Sequence, residues 1–240
     1  MSSVSQSSID NGLLARLSAG DFALLAPNLE WVDLKLATVL HEANEVVEFA
    51  YFPTAGICSV IAENATGVRI ETGIIGKEGF IGIPIVLFSG STPSQILVQA
   101  EGRALRIAKE NLRKAMIKSQ LILALLLRYV HVFGVQTSQS SVATGHYTIE
   151  ERLARWLLMS HDRVDSPGFS MTHEFLSVML AVRRASVTEA VNELEGQGII
   201  RATRGRIFII DRAKLEKVAA GSYGVPEEEY RRLILKGGIF

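Results

Sequence analysis

The sequence has few residues that could build a metal site, an iron–sulfur cluster or a disulfide. Its single cysteine, Cys58, cannot form an intrachain disulfide, and a structural zinc site or a cluster needs several thiolates. The five histidines are scattered along the chain, and none belongs to a His-x-His or similar ligand motif. GxSxG, P-loop and GxGxxG motifs are absent as well. We therefore expect no metal, no cofactor and no enzymatic activity.

An excess of charge and a long hydrophobic run are also missing. With 25 basic and 25 acidic side chains among 240 residues, any attraction to nucleic acid must come from a local basic patch. The longest aliphatic run, at 121–127, is far shorter than the ~20 residues of a membrane helix. Residues 1–8 lack the charge and the apolar core of a signal peptide. These absences predict a cytoplasmic protein that contacts no membrane.

What the first half does contain is a series of short strand-like runs. Two short helices are expected within 11–28, and turn residues then separate the apolar runs from about residue 31 to residue 107. Many short strands at near-even spacing predict a sandwich or barrel, with Cys58 packed in its core. The runs lie at 45–52, 57–62, 68–75, 95–100 and 103–107, with turns predicted at 53–56 and 101–102 among others.

Helical spacing replaces the strand pattern after residue 108. From Lys109 to about Thr137 the apolar residues predict one long helix, whose middle is apolar all round and must be covered on more than one side. One face can lie on the β domain and leave another for a second copy of the chain. The small polar stretch 137–145 is interpreted as a hinge. The candidate interface residues are Met116, Leu123, Leu126, Leu127, Val130 and Phe133.

The last third predicts three helices and a β-hairpin. Thr148 and Glu151 form a capping box before a helix that ends near His161. Two further helices, at about 172–180 and 183–195, are joined by a short turn, and two β runs at 198–202 and 206–210 follow. This order is typical of a winged helix-turn-helix. Beyond it, the acidic run 227–229 and the basic pair at 231–232 predict a last helix to which we assign no role.

The second helix of the pair carries the features that suit nucleic acid. Guanidinium and hydroxyl donors at its start, Arg183, Arg184, Ser186 and Thr188, fit phosphates and the acceptor edge of guanine. Glu189 could accept a hydrogen bond from a cytosine amino group, pair with Arg184, or remain solvated. The hairpin adds a basic wing that would follow the DNA backbone. The wing arginines are Arg201, Arg204 and Arg206.

An alternative function remains open on the same residues. Arginines on helices are most often solvated, and a winged helix can serve only in protein contacts. The alternative is therefore a ligand-sensing or scaffold module whose winged helix binds protein and not DNA. The salt dependence of binding distinguishes DNA binding from protein binding, because binding through phosphates weakens steeply as the salt concentration rises.

The order of these elements, with the motif LAVRRASVTEAVNELEGQGIIRATRGRIFIID from Leu180 onwards, resembles the Crp/Fnr family of bacterial transcription regulators. The resemblance covers roughly 13–218 and implies an α+β fold. Its parts would be an N-terminal antiparallel β-roll (a double-stranded β-helix or jelly roll) of the cyclic-nucleotide-binding type, a long dimerisation helix and a C-terminal winged helix-turn-helix that binds DNA. They would span 11–108, 109–137 and 146–218, followed by an extension of unknown role at 219–240.

The resemblance also implies partners. The protein would be a homodimer on a palindromic site in double-stranded DNA, with half-sites roughly 34 Å apart. It would contact RNA polymerase if it activates transcription, and a small-molecule effector would be unidentified. The implied DNA-contacting residues are Thr172, His173, Arg183, Arg184, Ser186, Thr188, Glu189, Arg204 and Arg206, with Arg184 at the base-reading position, Ser186 at a phosphate-binding hydroxyl, and Arg183 and His173 at backbone-contact positions.

The sequence departs from the family pattern at several positions. Ala185 replaces an acidic base-reading residue, and Ala181 replaces a turn glycine, which carries a cost if that position needs a positive φ. In the family's cyclic-nucleotide binders a glycine–glutamate–leucine run grips the ribose and an arginine–serine pair grips the phosphate. Here Ile83 stands at the glutamate position, and no arginine lies near 93–95. We expect no tight binding of cyclic AMP, because these hydrogen bonds and this charge are missing.

Overall fold

A bent antiparallel sheet forms the N-terminal part of the protein. The computed structural model describes residues 5–166, 168–203 and 205–237. Five strands pair in the order β1-β5-β3-β4, and β2 also pairs with β5. We call this sheet and its enclosed core the β-roll. Its strands are β1 (Glu30–Leu34), β2 (Val39–His41), β3 (Phe49–Glu63), β4 (Arg69–Ile75) and β5 (Gln95–Ala108).

The two long strands contain the segments that the sequence predicts as turns. The predicted turns at 53–56 and 101–102 are wrong, because β3 and β5 run through both segments. Their pairing register shifts three times between Pro53 and Cys58, so bulges bend the strands without ending them. Gly56 has a φ of 89°, and the backbone of Ala55 leaves no room for a Cβ at Gly102. In these two strands, glycine and proline therefore mark the points at which a strand bends over the core, and not the points at which it ends.

Short helices precede and interrupt the sheet. One of the two helices predicted within 11–28 is α1 (Ala19–Leu25), whose cap Ser18 accepts a hydrogen bond from the backbone N–H of Asp21. The other is only a turn of 3₁₀-helix at Leu14–Arg16. A further short helix, α2 (Ile83–Val86), follows Gly82.

Two helices, and not the single one predicted, cover the β-roll. The chain forms α3 (Lys109–Lys118) and α4 (Gln120–His146), separated by Ser119 in an extended conformation. The Oγ of Ser119 donates to Asp21 at 2.6 Å and accepts from the backbone N–H of Ile122 at 3.2 Å. These bonds hold the break between the helices and cap the start of α4.

The end of α4 also differs from the prediction. The helix continues through 137–145, so its predicted end near Thr137 is wrong. Hydroxyls in this stretch bond back to carbonyls one turn earlier: Thr137 to Phe133 at 3.0 Å and Ser140 to Gln136 at 3.0 Å. Such bonds let small polar residues remain within a helix.

The C-terminal domain forms the three helices and the hairpin that the sequence predicts. Thr148 and Glu151 make the expected capping box. A small sheet of order β6-β8-β7 packs beside the helices. The elements are α5 (Ile149–His161), β6 (Gly168–Ser170), α6 (His173–Leu180), α7 (Arg184–Gly196), β7 (Ile200–Thr203), β8 (Arg206–Ile209) and α8 (Arg212–Val218).

The C-terminal domain docks directly on the β-roll. Ile61 of β3 is buried in the apolar core of the C-terminal domain. The indole N–H of Trp156 donates to Glu71 on β4 at 2.7 Å, and the Oγ of Ser59 contacts the sulfur of Met179 on α6 at 3.7 Å. The contact between the two domains is therefore partly polar and fully covered.

The chain after α8 turns back to α4. It forms α9 (Val225–Tyr230), the predicted last helix, and a turn of π-helix at Arg231–Leu235. Ile234 is buried in the core of the β-roll, and the Tyr230 hydroxyl donates to the carbonyl of Glu78 at 2.9 Å. We call residues 219–237 the C-terminal strap, because they connect the C-terminal domain to α4 and the β-roll.

The long helix α4 also meets the length and composition of a membrane-spanning helix. Only 33% of its most apolar stretch is buried inside the protein. Leu125, Tyr129 and Val132 nevertheless belong to the core of the β-roll, and a core helix meets the same criteria. A single helix of this kind is therefore weak evidence for a membrane.

Candidate nucleic-acid interface

The turn between α6 and α7 contains one residue in a strained backbone conformation. The hydroxyl of Thr172 caps α6 by accepting from the N–H of Phe175 at 3.1 Å. The helix ends at Ala181, which lies in the left-handed region with φ 49° and ψ 48°. This is the position where the family has glycine, so the sequence departure does place a Cβ in a region that disfavours it. The chain reverses there and enters α7 after only two more residues.

The inner faces of the two helices are closely packed. Leu176, Leu180, Val187 and Val191 are buried in the core of the C-terminal domain. Because these positions face inward at helical spacing, Arg184, Ala185 and Glu189 on α7 face solvent. The sequence pattern predicts this face correctly.

The outer face of α7 begins with two exposed arginines. Arg183 occupies the N-cap position without a side-chain cap, and Arg184 starts the helix. Both side chains are exposed, and within the described part of the chain neither forms an ion pair. Two unneutralised guanidinium groups therefore lie beside the uncapped N–H groups of a helix start, an arrangement suited to phosphate oxygens.

A hydrogen bond joins two further predicted contact residues. Nδ1 of His173 lies 2.9 Å from Oγ1 of Thr188, and that hydroxyl lies 3.1 Å from the carbonyl of Arg184. The pattern is consistent if His173 donates to Thr188 and Thr188 donates to the carbonyl, an assignment made from the network. The bond joins α6 to α7 and orients His173. Ser186 is half-buried on the same helix.

Glu189 and the wing complete the surface. Glu189 is exposed and forms no ion pair among the described residues, so the pairing with Arg184 considered from the sequence is not formed. Arg201 is exposed on β7. Arg206 stacks on the ring of Phe208 at 5.3 Å and donates to the carbonyl of Gly168 at 3.4 Å. Arg204 lies outside the described residues.

The predicted dimer-interface residues differ in exposure. Met116 and Leu126 are 2% and 3% exposed and belong to the core of the β-roll, so the chain itself already covers them. Leu123, Val130 and Phe133 are partly buried against the same core. Leu127 is 41% exposed. The apolar surface of α4 that is open to a second copy is therefore centred on Leu127.

The segment that corresponds to the family's nucleotide grip is filled by apolar side chains. Phe80 is buried between Phe52 and Tyr129, with ring centroids 5.9 and 5.4 Å away. A Cβ at Gly79 would overlap Tyr129.

Cys58 lies in this core as the sequence predicts. It is fully buried beside β4 and β5, and burial together with the carboxylate of Glu78 raises the pKa of its thiol to about 12. The thiol therefore stays protonated and unreactive. Among the described residues, no group of three histidine, cysteine or acidic side chains could hold a metal ion.

Comparison with known proteins agrees with this geometry. Residues 151–218 match the family described as the Crp-like helix-turn-helix domain. A comparison with curated protein sequences finds no match.

Solved structures extend the likeness beyond that domain. FixK2 from Bradyrhizobium japonicum is 16% identical with a TM-score of 0.67, over 79% of this chain and 96% of that one. A CRP family transcriptional regulator from Thermus thermophilus is 18% identical with a TM-score of 0.67, over 80% and 98% of the two chains. The c-di-GMP responsive regulator CLP from Xanthomonas campestris is 15% identical with a TM-score of 0.63, over 80% and 99%.

The structural matches cover about four fifths of this chain, far more than the helix-turn-helix alone. At these identities the solved structures establish the fold, and the helix-turn-helix match establishes the family of the C-terminal domain. Residues 151–218 match the Crp-like helix-turn-helix domain, and about four fifths of the chain has the fold of solved Crp/Fnr transcription regulators.

Proposed function

We propose that this protein is a cytoplasmic transcription regulator that binds a specific DNA sequence, and that it is not an enzyme. One observation carries the proposal: two exposed, unneutralised arginines begin the second helix of a Crp-like helix-turn-helix. Between Arg183 and Arg206 the sequence has five arginines and three glutamates, a local charge of +2 in a protein whose net charge is zero. The positive charge is thus concentrated where the fold presents a helix to a groove.

The proposed roles follow from position on this surface. Arg184, at the first position of α7, reads a guanine through its O6 and N7 atoms. Arg183, Thr172 and Ser186 bind phosphate oxygens around it. Thr188 joins them when its hydroxyl proton turns from the carbonyl of Arg184 to a phosphate, and its bond to His173 keeps both side chains on this surface. Glu189 remains available to a cytosine amino group. Arg204 and Arg206 place the wing against the backbone.

The proposed assembly is a homodimer on an inverted repeat. Leu127 provides the most exposed of the predicted interface side chains on α4, and Leu123, Val130 and Phe133 flank it. A two-fold dimer through α4 would place two recognition helices on half-sites roughly 34 Å apart. If the protein activates transcription, its further partner is RNA polymerase.

The filled grip segment supports regulation without cyclic AMP. Ile83 cannot form the ribose hydrogen bonds of a glutamate. We propose that the protein binds DNA without a cyclic nucleotide.

The test is the selection of duplexes from a random pool by the purified protein at about 100 mM salt, with and without cyclic AMP. We expect an enriched inverted repeat that is the same in both arms. The matched variant Leu127→Glu introduces a charge at the proposed dimer contact and should enrich single half-sites only.

The outcomes separate the parts of the proposal. An unenriched pool, together with retention that does not weaken between 50 and 200 mM salt, would refute DNA recognition and favour protein binding by the winged helix. Enrichment that requires cyclic AMP would refute nucleotide independence alone. An inverted repeat selected equally by Leu127→Glu would refute the α4 contact.

A further inference from the structure

A cavity of about 340 Å³ lies where the β-roll, α4, the C-terminal domain and the C-terminal strap meet. We call it the junction cavity. Its volume falls within the range of about 300 to 1,000 Å³ that small-molecule sites occupy. Every part of the chain contributes a wall, so the cavity exists only because the strap and the C-terminal domain are docked. The residues that line it include Tyr129, Phe133, Tyr223, Glu227 and Tyr230.

Four aromatic rings supply the apolar part of the wall. Phe133 and Tyr129 come from α4, while Tyr223 and Tyr230 come from the C-terminal strap. The faces of such rings attract cations, because each ring carries negative charge above and below its plane.

One of these rings has an unsatisfied polar group. Tyr129 is 2% exposed, and its hydroxyl has no hydrogen-bond partner among the described residues. A buried hydroxyl without a partner is costly. An oxygen on a bound ligand would supply the missing acceptor.

The arginines of the wall are already engaged. Arg163 bonds to Glu78 at 2.8 Å, and Arg212 bonds to Asp162 at 2.8 Å. Arg231 pairs with Glu228 one turn earlier on the strap. An anion entering the cavity would have to replace a carboxylate that each arginine already holds.

Glu227 differs from the other charged groups of the wall. It forms no ion pair within the described part of the chain, and its Oε2 only accepts the N–H of Gly224 at 3.1 Å. Arg155 and Arg163 interact with it electrostatically without reaching ion-pair distance. Glu227 is therefore the carboxylate most available to a cation from outside.

We propose that the junction cavity binds a small organic cation that has an aromatic part. Its ammonium group lies at Glu227, and its ring lies among the four aromatic side chains. The site shares Tyr129 with the core around Phe80 but includes neither Phe80 nor Ile83, and its existence does not depend on DNA binding. A bound cation would join the strap, α4 and the C-terminal domain, and would therefore stabilise the docked arrangement.

The test compares three probes that share a phenol ring and differ in charge: tyramine, 4-ethylphenol and 4-hydroxyphenylacetate. Binding is measured by isothermal titration calorimetry at pH 7.5 on the full chain. We expect tyramine to bind at least tenfold more tightly than 4-ethylphenol, and 4-hydroxyphenylacetate to bind most weakly. Absence of binding by all three probes at millimolar concentration, or tightest binding of the anion, would overturn the proposal.

Variants locate the site. Glu227→Gln keeps a side-chain oxygen that can accept the N–H of Gly224 at the start of α9, and it should reduce tyramine affinity at least tenfold while 4-ethylphenol is unaffected. The control Glu110→Gln changes a first-turn glutamate on α3, away from the cavity, and should change neither. Equal affinities in the two variants would refute the role of Glu227.

A second variant keeps the proposal testable if Glu227→Gln folds poorly. Tyr129→Phe removes only the hydroxyl without a partner, so the fold should persist. It should weaken tyramine and 4-ethylphenol by a similar factor of two or more, because both carry the phenol oxygen. Unchanged binding of both probes would show that they do not bind at Tyr129.

Discussion

The outer face of α7 and the contact between the two domains use arginine in opposite ways. On α7, Arg183 and Arg184 are exposed and form no ion pair among the described residues. Between the domains, Arg163 is buried with its Nε at 2.8 Å from Glu78 and its Nη1 at 2.7 Å from the carbonyl of Met159. Arg155 is buried as well and donates to the carbonyl of Ser222 at 3.0 Å.

Whether an arginine is free to bind a ligand or stabilises the fold depends on the partners that it has within the protein. A guanidinium group that is fully engaged inside the protein contributes to the docked arrangement and is not available to a ligand. A guanidinium group without a partner adds little to stability and keeps its charge for phosphate or guanine. Sequence composition does not separate these classes, because both are arginines on or beside a helix.

The largest effect should come from Arg163→Met. Removing this guanidinium leaves the carboxylate of Glu78 partly buried without its partner, which should lower the free energy of unfolding by about 3 kcal/mol. The matched control Arg183→Met removes an exposed arginine and should change it by less than about 0.5 kcal/mol. Urea denaturation measures both. Equal losses would break the distinction between the two classes.

Arg184→Ala should show the reverse pattern. The free energy of unfolding should hardly change, while binding to the selected duplex should weaken by about 1 to 3 kcal/mol, with relaxed specificity at one base pair. Lys35→Ala, which removes the same charge from an exposed site after β1, should leave that specificity intact. Fluorescence anisotropy with single-base variants of the duplex measures the effect. The same loss in both variants would mean that Arg184 acts only through charge.

A pH effect should come from Glu71, on the domain contact. Burial raises its pKa to about 7, and bonds from Ser59 and Trp156 only partly oppose this. Between about pH 4.5 and pH 7 the Glu71 carboxyl is ionised in the unfolded chain and protonated in the folded chain. Stability therefore falls as the pH rises through this window, by up to about 1.4 kcal/mol per pH unit, and levels off above it.

Glu71→Gln should abolish that fall. The amide still accepts from Trp156 but does not titrate, so the slope of unfolding free energy from pH 5 to pH 7 should be smaller than in the wild type. Glu63→Gln, at an exposed position of β3, should keep the wild-type slope. Denaturation at pH 5, 6 and 7 measures the slopes. If the wild type and both variants had equal slopes, Glu71 would already be ionised in the folded protein.

The smallest effect concerns the turn before α7. Ala181→Gly removes a Cβ from a left-handed residue and should raise the free energy of unfolding by about 1 kcal/mol. Ala185→Gly, in the first turn of α7, should lower it by about 0.5 to 1 kcal/mol. Thermal unfolding compares the two. A decrease in both variants would mean that the turn does not strain Ala181.

The sequence predicts the proposed DNA face well because its signals are local. The capping box of Thr148 and Glu151, the apolar positions of α6 and α7, and the cost at Ala181 each depend on residues within about one helical turn. The strand-like runs of the sequence also lie mostly in strands of the structure. The bulges between Pro53 and Cys58 are not predicted, because turn residues become bends within a strand only when β3 pairs with β5.

The break between α3 and α4 could not be found in the same way. Ser119 is one of several polar residues in a helical pattern, and the bond that marks it reaches Asp21, which is 98 positions away. The junction cavity is similar. Tyr129, Tyr223 and Glu227 have no common motif, and nothing in their spacing indicates that they line one space.

The classes of element, the inward and outward faces of the helix-turn-helix, and the likeness to Crp/Fnr regulators all follow from local patterns in the sequence. The packing of the strap on α4, the burial of particular arginines, and the covering of Met116 and Leu126 by their own chain emerge only in the folded molecule. The two groups of features differ in the distance along the chain over which their interactions act. Periodicity and capping act over a few residues, whereas burial and ion pairing depend on surfaces that the folded chain brings together from distant positions.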